Sequence, residues 1–587
     1  MYVKRHAVRR GRNRYVYLRL VQAYRDEQGR VRHRVLKTLG REDELKASGQ
    51  LEQLMGSFAR LDPPLAGVRR EVGALLLVWH FARELDLVGV IDRSLPQRGR
   101  QQLSVGEVVC ALVASRLCSP SPLYDIAGWA SGAAVRELLG IPPQLLNDDR
   151  LGRALESFAV YAEHVRGLLA AGAIERFGAD AGRLHVDLTT VRVEGAYEHS
   201  ALVQKGWGSD RHVARQVRTL QAATGDGVSL YLRPDPGNCS ELALVGQSLE
   251  RLLRFAKPGM LMVCDSALGQ PKPLCQIDRA GLRFIVPLKT STGFQERYLH
   301  ELGAERLRPI RHVAEREKRL PAKLRTKYKG ALVDWEVDDP DTDERKQFRV
   351  AYIHSSEEQA QVAAARERAL TKAEDELQRV KNGLGGRYYK TETQIQRRVG
   401  QIIGKNIHGL ITVTVDTSED NPTITWQRNH DAIAHAQRTD GIYALATNLP
   451  GHLTAGKLLR LYKEQEVVER RHRDLKQTLK VRPIFLHNDD RIYALISIVG
   501  IALLIFGLIE TGVRQALQAD PRHDQKLLPL LPEHRLAKPT GANILSTFQG
   551  LDLTYTHRGI ELDPLTPTQQ RILELLRVQP PWPQRDR

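Results

Sequence analysis

Eighteen consecutive residues without a charge, IYALISIVGIALLIFGLI from Ile492 to Ile509, set the strongest limit on how this chain can fold. As a helix rising ~1.5 Å per residue the run is ~27 Å long, within the range of a membrane span. The other solution is a fully buried helix in a large α/β core, bounded by Arg491 and Glu510. No second run of this kind accompanies it. The buried helix, with no membrane partner, is therefore the expected solution.

At ~150 residues per domain, 587 residues supply about four structural units, ample for such a core. Hydrophobic residues make up 42% of the chain and charged residues 27%, which excludes wholesale disorder. The 87 Lys and Arg outnumber the 69 Asp and Glu, giving a net charge of +18. An excess of that size points to a polyanionic partner, nucleic acid first. Five cysteines (Cys110, Cys118, Cys239, Cys264, Cys275) without a C-x-x-C pair argue against a zinc ribbon or a disulfide framework. They fit a reducing cytosol. No apolar run follows the charges of MYVKRHAVRRGRNR, so no signal peptide is expected.

Six regions follow from texture. Residues 1–65 are heavily basic, and YVYLRLVQAY and RVRHRVLKTLG around DEQGR read as a hairpin suited to a phosphate backbone. Residues 66–178 are helical, with Asn147-Asp148-Asp149 as N-capping side chains. They suit a DNA-binding bundle or a packing scaffold. Residues 179–291 begin with three strands (184–195, 216–224, 227–235) and continue with a helix at 241–256, the strand run LMVC and RFIVPLKTS. That succession describes a mixed sheet with helices on its faces. Residues 292–440 change character, with strand-like pieces around charged helices broken at Asn382–Gly386, and read as an inserted α+β module. Strand and long helix return in 441–515. Residues 516–587, rich in Pro, read as a loosely ordered tail.

The chemistry concentrates in LLRLYKEQEVVERRHRDLKQTLK, residues 458–480. At 100° per residue, Tyr462, Gln465, Glu469, Arg473, Lys476 and Lys480 share an arc of about 80° beside an aliphatic stripe of Leu461, Val468, Leu475 and Leu479. Such a face is by itself as compatible with solvated i,i+4 ion pairs. Two aspartates at strand signals, Asp187 in HVDLTT and Asp265 ending LMVCD, point further, because carboxylates are depleted in strands. His185 and Cys264 beside them read as packing residues. Trp335, Trp426 and Lys289 are candidates for DNA contact, with core packing or plain exposure the simpler account.

These blocks resemble the DDE transposases of bacterial insertion sequences, in the group whose acidic helix reads Y-x2-R-x3-E-x6-K. Here it stands as Tyr462-x2-Gln465-x3-Glu469-x6-Lys476, with Gln where the pattern has Arg. HVDLTTV with the downstream QVRTLQAAT and PGNCSE, and MLMVCDSALG with FIVPLK, complete the match over roughly residues 180–510. The separations of 78 and 204 residues between the acids resemble members with an insertion before the Glu. The resemblance implies an RNase H-like α/β core in which Asp187, Asp265 and Glu469 are catalytic and hold two Mg²⁺ (or Mn²⁺) ions. It implies DNA contacts from Tyr462, Gln465, Arg473, Lys476 and Lys480. The implied function is cleavage of element ends and joining of 3′-OH ends to target DNA, by a dimer or higher oligomer on the terminal inverted repeats, in the cytoplasm at the nucleoid. An RNase H-like nuclease without strand transfer, and a non-catalytic DNA-binding descendant, are the alternatives.

Overall fold

The computed structural model describes residues 2–10, 13–25, 31–48, 67–96, 102–208, 212–240, 257–404, 407–416, 422–481, 484, 486–521, 527–557 and 559–585. The chain forms two compact units, Met1–Glu71 with Leu551–Pro564 and Pro580–Arg587, and Val72–Gly550 with Leu565–Gln579.

In the first unit, β1 (Tyr2–Arg10), β2 (Asn13–Arg25) and β3 (Val31–Arg41) form an antiparallel sheet. The expected hairpin is its β2–β3 half, and its turn lies outside the described residues. β1 adds a third strand, in unbroken register from Tyr2 opposite Val21 to Arg10 opposite Asn13. A second small sheet joins β4 (Arg69–Glu71) to Asp552–Thr556 and Gly559–Leu562. The C-terminal region is thus not a loose tail. Leu553 and Leu562 are buried in this unit, and Ile544, Phe548 and Ile572 are buried in the other. Helix Pro567–Leu576 opens with a Thr566/Gln569 capping box, which satisfies its first N–H groups.

The second unit is built on a mixed sheet. Its strands are β5 (Arg183–Arg192), β6 (Gln204–Trp207), β7 (Val213–Thr224), β8 (Ser229–Pro236), β9 (Leu261–Cys264), β10 (Arg283–Pro287), β11 (Arg308–Ile310), β12 (Tyr328–Asp338) and β13 (Arg345–Ser355). β14 (Ile411–Asp416) and β15 (Thr423–Arg428) pair apart from it, and β16 (Ile442–Thr447) returns to it. The order is β11-β12-β13-β16-β10-β9-β5-β7, with β6 and β8 in succession along the outer edge of β7. β5, β9 and β10 are parallel, and the remaining pairings are antiparallel. A three-strand meander followed by parallel strands is the RNase H-like arrangement expected. The expected helix at 241–256 lies outside the described residues.

Two of these regions are packed into the sheet unit. Residues 308–355 are not part of a module apart from the core, because β13 pairs along its inner edge with β16 and the β12–β13 hairpin widens the main sheet. Helices Ser356–Asn382 and Glu392–Ile403, with β14 and β15, gather a separate apolar cluster around Leu377, Ile395 and Ile424. Residues 66–178 do not stand alone either. Helices Val105–Cys118, Asp148–Ala159 and Ala162–Phe177 pack on helix Asp489–Ala519, whose other side meets β8. This central helix carries the uncharged run and is 94% buried inside the protein over that window. Gly507 allows the close approach. A Cβ there would lie 2.9 Å from the Gly227 carbonyl oxygen and 3.0 Å from the Val228 Cα.

Candidate active site

The register between parallel β5 and β9 ends with Val186 opposite Cys264, strands ~4.8 Å apart, so Asp187 and Asp265 each follow one residue after this last pair. β9 stops at Cys264, so Asp265 stands just past its carboxyl end, its side chain capping the turn Ser266–Leu268. Asp187 accepts the Leu188 N–H at 2.8 Å. The third acid comes from helix Glu466–Arg473, which crosses β5 and β7. Asp187, Asp265 and Glu469 line one open cleft of about 720 Å³, together with Tyr462 and Gln465.

The acids feel one another. Burial, then the charge of Asp265, with Glu469 adding to it, pushes the Asp187 carboxyl up to about 7, against relief from the Leu188 N–H and Lys476. Burial and the same two acids raise the Tyr462 phenol, so it stays a protonated donor. His472 on the Glu469 helix approaches Asp187, Nδ1 to Oδ2 at 3.5 Å. Burial drops its pKa to about 3, so the contact is made by a neutral ring. His185, two residues before Asp187, is fully enclosed, which also keeps it neutral. Among the described residues no three His, Cys, Asp or Glu close into a ready-made metal cage. The donor set still suits a hard cation. Its carboxylate oxygens share an open cleft, which leaves room for waters and phosphate oxygens as further ligands.

The reacting helix differs from a straight wheel. It divides into Ala455–Lys463 and Glu466–Arg473, joined through Glu464 and Gln465. The joint is overwound by i→i−3 bonds, Gln465 N to Tyr462 O at 2.9 Å, Val467 N to Glu464 O at 3.1 Å and Val468 N to Gln465 O at 3.0 Å. Asp474–Thr478 then forms a π turn closed by Leu479 N on Asp474 O at 2.9 Å. Consequently not all of the expected face meets the cleft. Gln465 is only 8% exposed, and its Oε1 is buried without a partner among the described residues. Lys476 stays within electrostatic reach of Asp187. Arg473 is exposed and Lys480 turns away, with φ of +44°, into a different pocket beside Arg116 and Arg491. A constant 100° per residue fails once the helix is tightened and then widened.

Other residues at the cleft escaped sequence reading. His312, Arg316 and Lys318, from the connection between β11 and β12, face the acids together with Arg460, Lys463 and Arg470. The signal is the basic run RHVAEREKRLPAKLRTKYK, which by texture falls in the inserted region 292–440. Arg471 is the second. It is 1% exposed, donates to the Gly227 carbonyl at 2.6 Å and pairs with Asp474 at 2.9 Å and Glu510 at 3.1 Å. It pins the Glu469 helix to the β7–β8 turn and to the central helix. Cys264 is buried, as expected of a packing residue. Trp335 lies beside Phe348 under Arg297, and Trp426 packs on the separate cluster.

Three family models match successive parts of the chain. Residues 3–64 match the N-terminal domain of IS1634 family transposases, 68–171 a domain of unknown function (DUF4277), and 179–505 the transposase DDE domain. No curated protein matches the chain. The DDE domain model spans more than half of the chain and takes in both strand aspartates, the cleft and the broken helix. The protein belongs to the DDE transposases of insertion sequences.

Proposed function

We propose that Asp187, Asp265 and Glu469 are the catalytic acids, and that the protein cuts the ends of its element and joins the 3′-OH ends to target DNA. The observation that carries this reading is the convergence of the three acids in one cleft, with Asp187 raised to about 7 by burial and by its two neighbours. Transposases of this family typically use a divalent metal. The three carboxylates would hold two Mg²⁺ (or Mn²⁺) ions, which supply activation of the attacking hydroxyl and stabilisation of the leaving oxygen.

The chain's own groups do the rest. Lys476, near Asp187, and the Arg316, Lys318, Arg460, Lys463 and Arg470 side chains of the cleft bind phosphates flanking the scissile one. Tyr462 donates its phenolic hydrogen toward the same strand. His472 holds Asp187 in place as a neutral partner. The protein acts in the cytoplasm at the nucleoid, as a dimer or larger assembly on paired ends. The direct test incubates the purified protein and Mg²⁺ with DNA carrying the sequences that flank its coding region. Cleavage at inverted repeats followed by joining to a second DNA supports the reading. Cleavage without joining favours a nuclease, and binding alone a non-catalytic descendant.

A further inference from the structure

The separate body formed by residues 356–440 ends in a feature that the catalytic cleft does not use. Its two helices, Ser356–Asn382 and Glu392–Ile403, meet at NGLGGRYYKT. This tip closes on itself, through Gly385 N on Tyr389 O at 3.1 Å, Tyr389 N on Gly386 O at 3.1 Å and Lys390 N on Gln394 Oε1 at 3.0 Å. Gly385, at φ +76°, permits the reversal. Tyr389 turns inward onto the apolar cluster, whereas its neighbour Tyr388 projects outward, 74% exposed.

Charge divides the same way. Down the shaft, cations are neutralised, Arg398 by Glu376, Arg428 by Glu367 and Glu374, and Arg366 by Asp440. Between Leu377 and Thr391 there is no acid but there are four cations, Arg379, Lys381, Arg387 and Lys390. None of the four is ion-paired with a described residue. The Arg387 guanidinium carbon lies over one face of the Tyr388 ring, 5.9 Å from its centroid, and the Tyr388 side chain is otherwise open to solvent. An exposed aromatic between unneutralised cations, on an ordered turn, matches an unpaired nucleotide, whose base stacks while its phosphates meet the charges.

We propose that this tip is a DNA contact in which Tyr388 stacks on an unpaired base and Arg387 and Lys390 take the adjacent phosphates. The proposal rests on the DNA-processing reading above and names the partner of a surface outside the cleft.

The test uses the full-length protein and two probes, a DNA duplex with a short single-stranded gap and the same duplex intact. Tyr388→Ala should weaken binding to the gapped duplex about tenfold and to the intact duplex much less. Tyr388→Phe should bind like wild type, because the stacking face is kept. Arg387→Ala with Lys390→Ala should weaken both and lower the salt slope of log K by about two. Circular dichroism checks that each variant is folded. A Tyr388→Ala protein that binds the gapped duplex within twofold of wild type overturns the tip assignment alone. Tip variants that change only the sedimentation of the free protein overturn it in favour of a contact between copies of this chain. Wild-type protein that binds neither DNA overturns the underlying reading as well.

Discussion

Replacing Glu510 by Gln removes one negative charge from a point where three arginines meet. Glu510 is 1% exposed, pairs with Arg471 and Arg514, accepts the Gly541 N–H at 2.8 Å and has Arg470 at 4.0 Å. Taking one partner from a buried ion pair costs ~3–5 kcal/mol. Arg471 would keep Asp474 at 2.9 Å and the Gly227 carbonyl at 2.6 Å. The amide would also still accept from Gly541, so the loss belongs at the low end, ~3 kcal/mol. Burial opposes the Glu510 charge, but Arg471 and Arg514 outweigh it and hold the carboxyl below its ordinary value. A depressed folded pKa gives stability that is complete above the unfolded value of ~4.3 and is lost as pH falls through the folded one. Glu510→Gln should therefore also lack that part of the acid sensitivity. Hydrogen exchange over residues 466–478 and 500–514, with urea unfolding, reads the change. End cleavage should fall with it, since Glu469 is two residues from Arg471. A Glu510→Gln protein within ~0.5 kcal/mol of wild type, the range of ordinary surface changes, refutes the reasoning.

Gly507→Ala should destabilise the second unit by ~1–3 kcal/mol, measured by urea unfolding, because the new methyl meets backbone at 2.9 Å and 3.0 Å that cannot swing aside. Lys476→Ala should slow end cleavage less than any change of the three acids, a loss of strand positioning read from single-turnover rates. Replacing 357–440 with a short glycine linker should leave a folded core that no longer cleaves ends. The linker is feasible because His354 and Ile442 are already cross-strand neighbours. Wild-type cleavage by that deletion would show that the module is dispensable.

Much of the core was legible from local pattern. A short apolar run ending in Asp265, a β-rich segment around Asp187 and the uncharged stretch at 492–509 each announce a buried element without knowledge of the rest. What was not legible depended on distant pairing or on departures from regular geometry. β13 belongs to the main sheet because β16, nearly ninety residues later, supplies its partner edge, and no local signal carries that. Lys480 leaves the expected face because Asp474–Thr478 underwinds before it, with neither Gly nor Pro to mark the change. Arg471 read as one more charge in a basic helix, and only the folded chain brings it to Glu510. The basic connection before β12 is visible as a charge run, but its place in the same cleft as the acids comes only with the folded chain.

The central claim is that Asp187, Asp265 and Glu469 act together on DNA, and it is tested most directly by single-turnover cleavage of end DNA with Asp187→Asn, Asp265→Asn and Glu469→Gln beside wild type. Each change removes one ligand charge at nearly constant size, so each should abolish Mg²⁺-dependent cleavage and joining by orders of magnitude. Binding to the same DNA should largely survive, because it rests on the basic surfaces and falls steeply with salt. A Glu469→Gln protein that joins ends at close to the wild-type rate would contradict the account, and Glu464 and Glu466, which line the same cleft, would become the candidates for the third acid.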